Sequence, residues 1–130
     1  MDFYLADDIK KLIVDIAPRS KFTHIDTDFL ICFRSKGSTG RAIARIWSLP
    51  RIWQMALNVK PHYCIEVISE RFDKLSFEDK QKTLIHELMH IPKTFSGALV
   101  PHRTRYRKID RNSVEKIFRI FKDSDWRKIL

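Results

Sequence analysis

The amino-acid sequence predicts an α+β domain: a small, mostly antiparallel three-stranded sheet carrying an N-terminal helix, a histidine-bearing helix and a C-terminal helix. Three observations predict it. Apolar residues recur at helical spacing in three separated segments, and three short β-rich runs lie between the first two of these. The strands are separated by turn residues and prolines, with no long helical pattern between them. A chain of 130 residues suffices for a single domain, residues 1–130, with one modest core.

The first helix follows from Leu5, Ile9, Leu12, Ile13 and Ile16, which fall on one face. Asp7 and Asp8 sit in its first turn, where the helix dipole favours negative charge, and Pro18 is expected to stop it. Phe29 to Phe33 form a nearly continuous apolar strand, and Gly37 and Gly40 supply a hairpin turn into a second strand reaching Trp47. That glycine pair lacks the lysine-threonine ending of a phosphate loop. Pro50 predicts an edge or a break, and "HYCIEVI", His62 to Ile68, is the third strand. Ser76 then caps a helix, with Asp79 placed to reach back to it. Phe77, Leu84, Ile85 and Leu88 form that helix's expected buried face, and Pro92 closes it. A final helix after Asn112 turns Val114, Ile117, Phe118 and Phe121 inward.

Apolar content of 44% and charged content of 32% exclude wholesale disorder. No apolar run approaches the roughly 20 residues that span a bilayer, and the N-terminal segment lacks a leader pattern. A cytoplasmic protein with no membrane partner is therefore expected. Cys32 and Cys64, each in an apolar stretch, are expected to be buried free thiols, the alternative being a disulfide between neighbouring strands. The net charge of +9 concentrates in His102 to Arg111 and in Lys116, Arg119, Lys122, Arg127 and Lys128. Such a region suits an acidic substrate or a nucleic acid, and a solvated helix face is the plainer reading. The closing "DSDWRKIL" is either a docked tail or a free one.

Chemistry concentrates in "TLIHELMHIPKTFSGALVPH", Thr83 to His102. Residues four apart stack on one helix face, so His86 and His90 aim two imidazoles at one point, as two corners of a zinc tetrahedron require. Glu87 is rotated about 100° from His86, where it reaches the side of the metal without being a ligand. It is the expected general base. The pair lies off the stripe formed by Leu84, Ile85 and Leu88, unlike an ordinary core histidine. A catalytic zinc needs a third protein ligand and one open position. His102, brought back by the turn in "FSGALVPH", is the expected third ligand, with Glu115 or Asp110 as alternatives. Tyr106, Arg103 and Tyr63 are candidates to stabilise an oxyanion. Arg41 to Trp47 is the expected sheet edge on which an extended peptide could pair.

"LIHELMH" on a helix after three strands resembles the zincin metallopeptidases. The longer "HELMHIPKTFSGALVPH", with "RIWSLPRIW" and "HYCIEVI" upstream, is similar to a group of metallopeptidases from archaea and phages, over about Asp28 to His102. The resemblance implies zinc on His86, His90 and His102, and peptide hydrolysis with Glu87 as general base and acid. The chain departs from the metzincin pattern, which would put glycine at Lys93 and histidine at Ser96. It also lacks the cysteine pairs of the zinc ribbon found in many SprT-like proteases.

Overall fold

A computed structural model describes residues 1–124. The tail beyond Ser124, with Arg127 and Lys128, lies outside the described residues. The elements run β1 (Asp2–Leu5), α1 (Asp7–Arg19), a 3-10 turn (Thr27–Phe29), β2 (Leu30–Lys36), β3 (Ala44–Ser48), α2 (Arg51–Leu57), β4 (Tyr63–Ile68), α3 (Ser69–Phe72), α4 (Phe77–Leu88) and α5 (Arg111–Asp123).

The class is α+β as expected, but the sheet has four strands in the order β1-β2-β4-β3 and is mixed. β1 pairs antiparallel with β2, β2 parallel with β4, and β3 antiparallel with β4. The expected β2–β3 hairpin is therefore not formed, because β4 lies between the two strands. Burial explains this. Five of the six β4 residues are buried, the signature of a strand covered on both faces and flanked on both edges. β3 is only half buried and ends beside Pro50, which suits an edge. The polar groups agree. Glu66 of β4, 1% exposed, accepts from Ser35 Oγ of β2 at 2.5 Å and from Trp47 Nε1 of β3 at 2.9 Å. A buried carboxylate needs hydrogen-bond donors, and here the two flanking strands each supply one.

Other local expectations shift for identifiable reasons. β1 is a short strand with every residue exposed, so its alternation carried no burial signal. Pro18 lies inside α1, one residue before the helix ends. Pro50 is the N-cap of α2, a helix that buries no side chain fully and leaves Ile52 and Met55 at the surface. Phe77 is 61% exposed and not part of the buried face of α4. Ser76 Oγ does cap α4, accepting the Asp79 N–H at 3.1 Å. The reciprocal bond that completes a capping box occurs instead on α5, between Asp110 and Ser113.

The core lies between one sheet face and helices α1, α4 and α5. Leu30, Cys32, Tyr63, Ile65 and Val67 project from the strands to meet Ile9, Ile13 and Ile16 of α1, Leu84, Ile85 and Leu88 of α4, and Phe118 and Phe121 of α5. Leu84, Ile85 and Leu88 are fully inaccessible, each contributing about 1.5–3 kcal/mol by burial. That anchors α4 rotationally. Both cysteines are free. Cys32 pairs with Ile65 and shares its core-facing side, whereas Cys64 is the residue before Ile65 and points to the other face. The alternative of a disulfide is thereby removed. No helix among the described residues is long and apolar enough to cross a membrane.

Ser76→Ala removes the cap of α4 without touching its buried face. It should lower unfolding stability by about 1 kcal/mol, read by chemical denaturation of the metal-free protein.

Candidate metal centre

α4 delivers the first two histidines. Its last helical residue is Leu88, and the chain continues through a tighter turn in which the His90 N–H donates to the Glu87 carbonyl at 3.1 Å. His86 thus stands in the final α-helical turn and His90 just beyond it. The two rings still lie 5.2 Å apart, centroid to centroid. Burial of Leu84, Ile85 and Leu88 sets the rotation of the helix, which turns His86 toward a cavity and away from the core.

The segment after α4 must fold back for a third ligand to arrive, and several bonds make it do so. His90 Nδ1 donates to the Val100 carbonyl at 2.5 Å, and the Val100 N–H donates to the His90 carbonyl at 2.7 Å. The carbonyl can only accept, so the proton resides on Nδ1 and the Nε2 lone pair is left free. The Tyr63 hydroxyl donates to the Ala98 carbonyl and accepts the Gly97 N–H, both at 2.8 Å. Gln54 Nε2, from α2, donates to the carbonyls of Leu49 at 2.8 Å and Ser96 at 3.1 Å. Gly97 has φ +91°, and a Cβ there would stand 2.2 Å from Gln54 Nε2 and 2.8 Å from the Leu49 oxygen. Only glycine fits both the backbone and the space. His24 Nε2 meets the Ile91 carbonyl at 3.1 Å, and His62 meets the Lys60 carbonyl, so the two remaining histidines stand apart from the centre.

The loop delivers His102. Its Nε2 lies 3.2 Å from His86 Nε2, which is in turn 3.4 Å from His90 Nε2. One ligand atom from each of the three falls within 4.8 Å of the others. Tetrahedral ligands about 2.05 Å from a metal stand roughly 3.3 Å apart, so the two shortest spacings match the edges of such a shell. The donor set fits a metal ion in kind as well as in spacing. Asp110 and Glu115, the alternative third ligands, line the same cavity but have other tasks. Asp110 accepts the Ser113 N–H at the start of α5, and Glu115 pairs with Lys82 at 3.1 Å.

Burial and mutual repulsion set the electrostatics. His86 is pushed down to about 4, first by burial and then by the neighbouring His90 and His102. His90 is lowered by burial, against the pull of its bond to Val100. Neutral imidazoles are the form that binds metals. Glu87 is 8% exposed, and burial pushes its carboxyl up to about 7. Beside three imidazoles, that is the setting of a proton acceptor working near neutrality.

The cavity, about 1440 Å³, is lined by residues 41–46, which include the outer half of β3, as well as by His86, Glu87, His90 and His102. Arg111, at the first position of α5, also lines it. Tyr106, Arg103 and Tyr63 are not among its lining residues. Tyr106 is 89% exposed at a hairpin tip with Arg103 at its base, and the Tyr63 hydroxyl is committed to the loop backbone. Tyr63 therefore serves as a clamp and not as an oxyanion donor. The turn at Gly97 was legible in the sequence. The partners that hold it, Tyr63 and Gln54, lie more than thirty residues upstream and carried no motif.

Fold and triad together define a small α+β protein whose site could hold a metal ion on three histidines, with a buried glutamate beside it. The chain belongs to the family described as "Putative phage metallopeptidase", whose model matches residues 1–127 and so takes in both terminal helices. No curated protein and no solved structure matches it.

Tyr63→Phe removes both loop bonds while keeping the ring that packs on Phe95. Metal affinity, measured by competition with a chromophoric chelator, should fall about tenfold for two lost hydrogen bonds. Gly97→Ala should weaken it further. The metal-free protein also has a diagnostic pH response. His86, with its folded pKa below its unfolded value, loses stability as pH falls from 6.5 toward 4. Glu87, with its folded pKa raised, gains stability as pH falls from 7 toward 4.5. The two oppose each other in wild type. Metal-free Glu87→Gln should therefore lose stability on acidification through this window more steeply than wild type, as followed by denaturant midpoints.

Proposed function

We propose that the protein is a zinc-dependent peptidase in which His86, His90 and His102 hold the metal and Glu87 is general base and general acid. One observation carries the reading: three imidazoles converge at 3.2 and 3.4 Å beside a buried carboxylate. Three neutral nitrogen ligands suit zinc and leave one position of a tetrahedron open. Bound there, zinc would supply a Lewis acid and bring the pKa of a water molecule to about 7.

The chain's own residues account for the remainder. Glu87 would take a proton from the attacking water and pass it to the leaving amine, and its raised pKa suits both transfers. His90 is held by Val100 in the tautomer that offers Nε2. Arg111 lines the cavity, as the sequence candidates Tyr106 and Arg103 do not, and would be the donor for a developing oxyanion.

A peptide substrate is supported by the strand beside the site. β3 is an edge strand, and its odd-numbered positions bond to β4, as the Ile68 N–H to the Ile43 carbonyl and the Leu49 N–H to the His62 carbonyl show. Antiparallel pairing alternates, so Ala44, Ile46 and Ser48 turn their backbone groups outward. An extended peptide can add there as a further strand. Ala42, inside the predicted edge segment, precedes β3, and its carbonyl accepts from Arg71. The free thiols support the expected cytoplasmic setting.

The test is metal content together with turnover of a denatured protein substrate. Wild type should hold about one zinc per chain. Glu87→Gln should keep it and lose at least about 100-fold in kcat/KM. Retained metal with unchanged turnover would mean that Glu87 is not the base. Zinc without any turnover in wild type would point instead to a non-catalytic metal-stabilised module. Ala44→Pro removes one outward N–H and should raise KM several-fold at unchanged metal affinity.

A further inference from the structure

His102 is the first residue of a small hairpin. The Ile109 N–H donates to the His102 carbonyl at 2.7 Å, Arg103 and Lys108 form a bridge, and the Thr104 N–H donates to the Arg107 carbonyl at 2.8 Å. Arg105 and Tyr106 are left at the tip, the guanidinium of Arg105 5.8 Å from the ring centroid of Tyr106. Arg103, Arg105, Arg107 and Lys108 are all exposed. An aromatic ring 89% exposed at the end of a cationic hairpin contributes nothing to the core.

The basic run continues along the chain into α5. Between Arg103 and Lys122 the chain has eight lysines and arginines against two acids. Both acids are engaged, Asp110 as the cap of α5 and Glu115 with Lys82. Lys116 and Arg119 are exposed on the face of α5 opposite its buried Val114, Phe118 and Phe121. Most of the chain's net positive charge therefore lies on this hairpin and helix.

We propose that this surface binds single-stranded nucleic acid, the cations following the phosphates and Tyr106 stacking on an unpaired base. A solvated helix face accounts for scattered charge but not for the exposed ring set among it. An acidic protein would meet the charge but offers Tyr106 a stacking partner only where one of its own aromatic or arginine side chains lies, whereas every unpaired base has a π-face. Single strands present both. A bound strand would lie beside the metal centre, because the hairpin grows out of His102. The binding itself does not depend on the peptidase reading.

The experiment is fluorescence anisotropy of a labelled twenty-residue oligo-dT with the full chain, across a salt series, with and without EDTA. Binding should be EDTA-insensitive. Its log–log salt slope should be roughly −3, as about four phosphate contacts on a single strand give. Arg105→Gln with Arg107→Gln should flatten the slope by roughly 1.4. Tyr106→Ala should weaken binding about tenfold at unchanged slope, and Tyr106→Phe should restore it. Displacement by polyglutamate as effective as by unlabelled oligo-dT at equal charge, together with an indifferent Tyr106→Ala, would reduce the surface to a general polyanion or acidic-protein site and overturn the proposal. So would tighter binding of the same sequence as a duplex, or no binding at low salt. Loss of turnover with oligo-dT binding intact would fall on the peptidase reading alone.

Discussion

The return of the chain after α4 is the constraint on which the site depends. Two histidines on a helix can face one point by periodicity alone, but two nitrogens do not make a metal centre. The third comes from twelve residues further on, and an untethered loop would place it with a large entropic cost. Here the loop is held at both ends and in the middle. His90 and Val100 exchange two hydrogen bonds, Tyr63 grips Gly97 and Ala98, and Gln54 takes the Ser96 carbonyl. His90 is thus both candidate ligand and anchor: one ring nitrogen faces the other two imidazoles while the other secures the strap that brings His102.

That organisation is not neutral for stability. Three imidazoles face one another with no carboxylate between them, and a buried glutamate adjoins them with burial as the sole cause of its raised pKa. Burial lowers the pKa of His86 and His90 and raises that of Glu87, disfavouring the charged form of each. A core built for stability alone would replace such groups with apolar side chains. Their presence together, against a packed face of Leu84, Ile85 and Leu88, sets this corner apart from the apolar core beside it.

Much of this was legible in the residues. The four-residue spacing of His86 and His90, the cap at Ser76 and the stripe of Leu84, Ile85 and Leu88 are local properties that the structure keeps, although Phe77 leaves the stripe and His90 falls just past the end of α4. The inward residues of α5 were legible for the same reason. Reading failed where pairing decided. β1 has no buried side chain to mark it, and α2 turns its apolar side chains outward, so neither gives the usual signal. The glycines at 37 and 40 announced a turn but not where the chain would go next.

What the sequence determined by itself is therefore what nearest neighbours along the chain control: helix periodicity, caps, the approach of two histidines and the basic bias of the C-terminal third. What only the tertiary structure decided is set by groups distant in sequence. β4 takes the centre of the sheet, where its side chains are buried and Glu66 meets Ser35 on one side and Trp47 on the other. His102, rather than Asp110 or Glu115, joins the triad because those acids are taken by the start of α5 and by Lys82 while Tyr63 and Gln54 hold the loop in place. Such choices rest on which polar groups are left without partners once the chain is packed, and that competition has no local trace in the sequence.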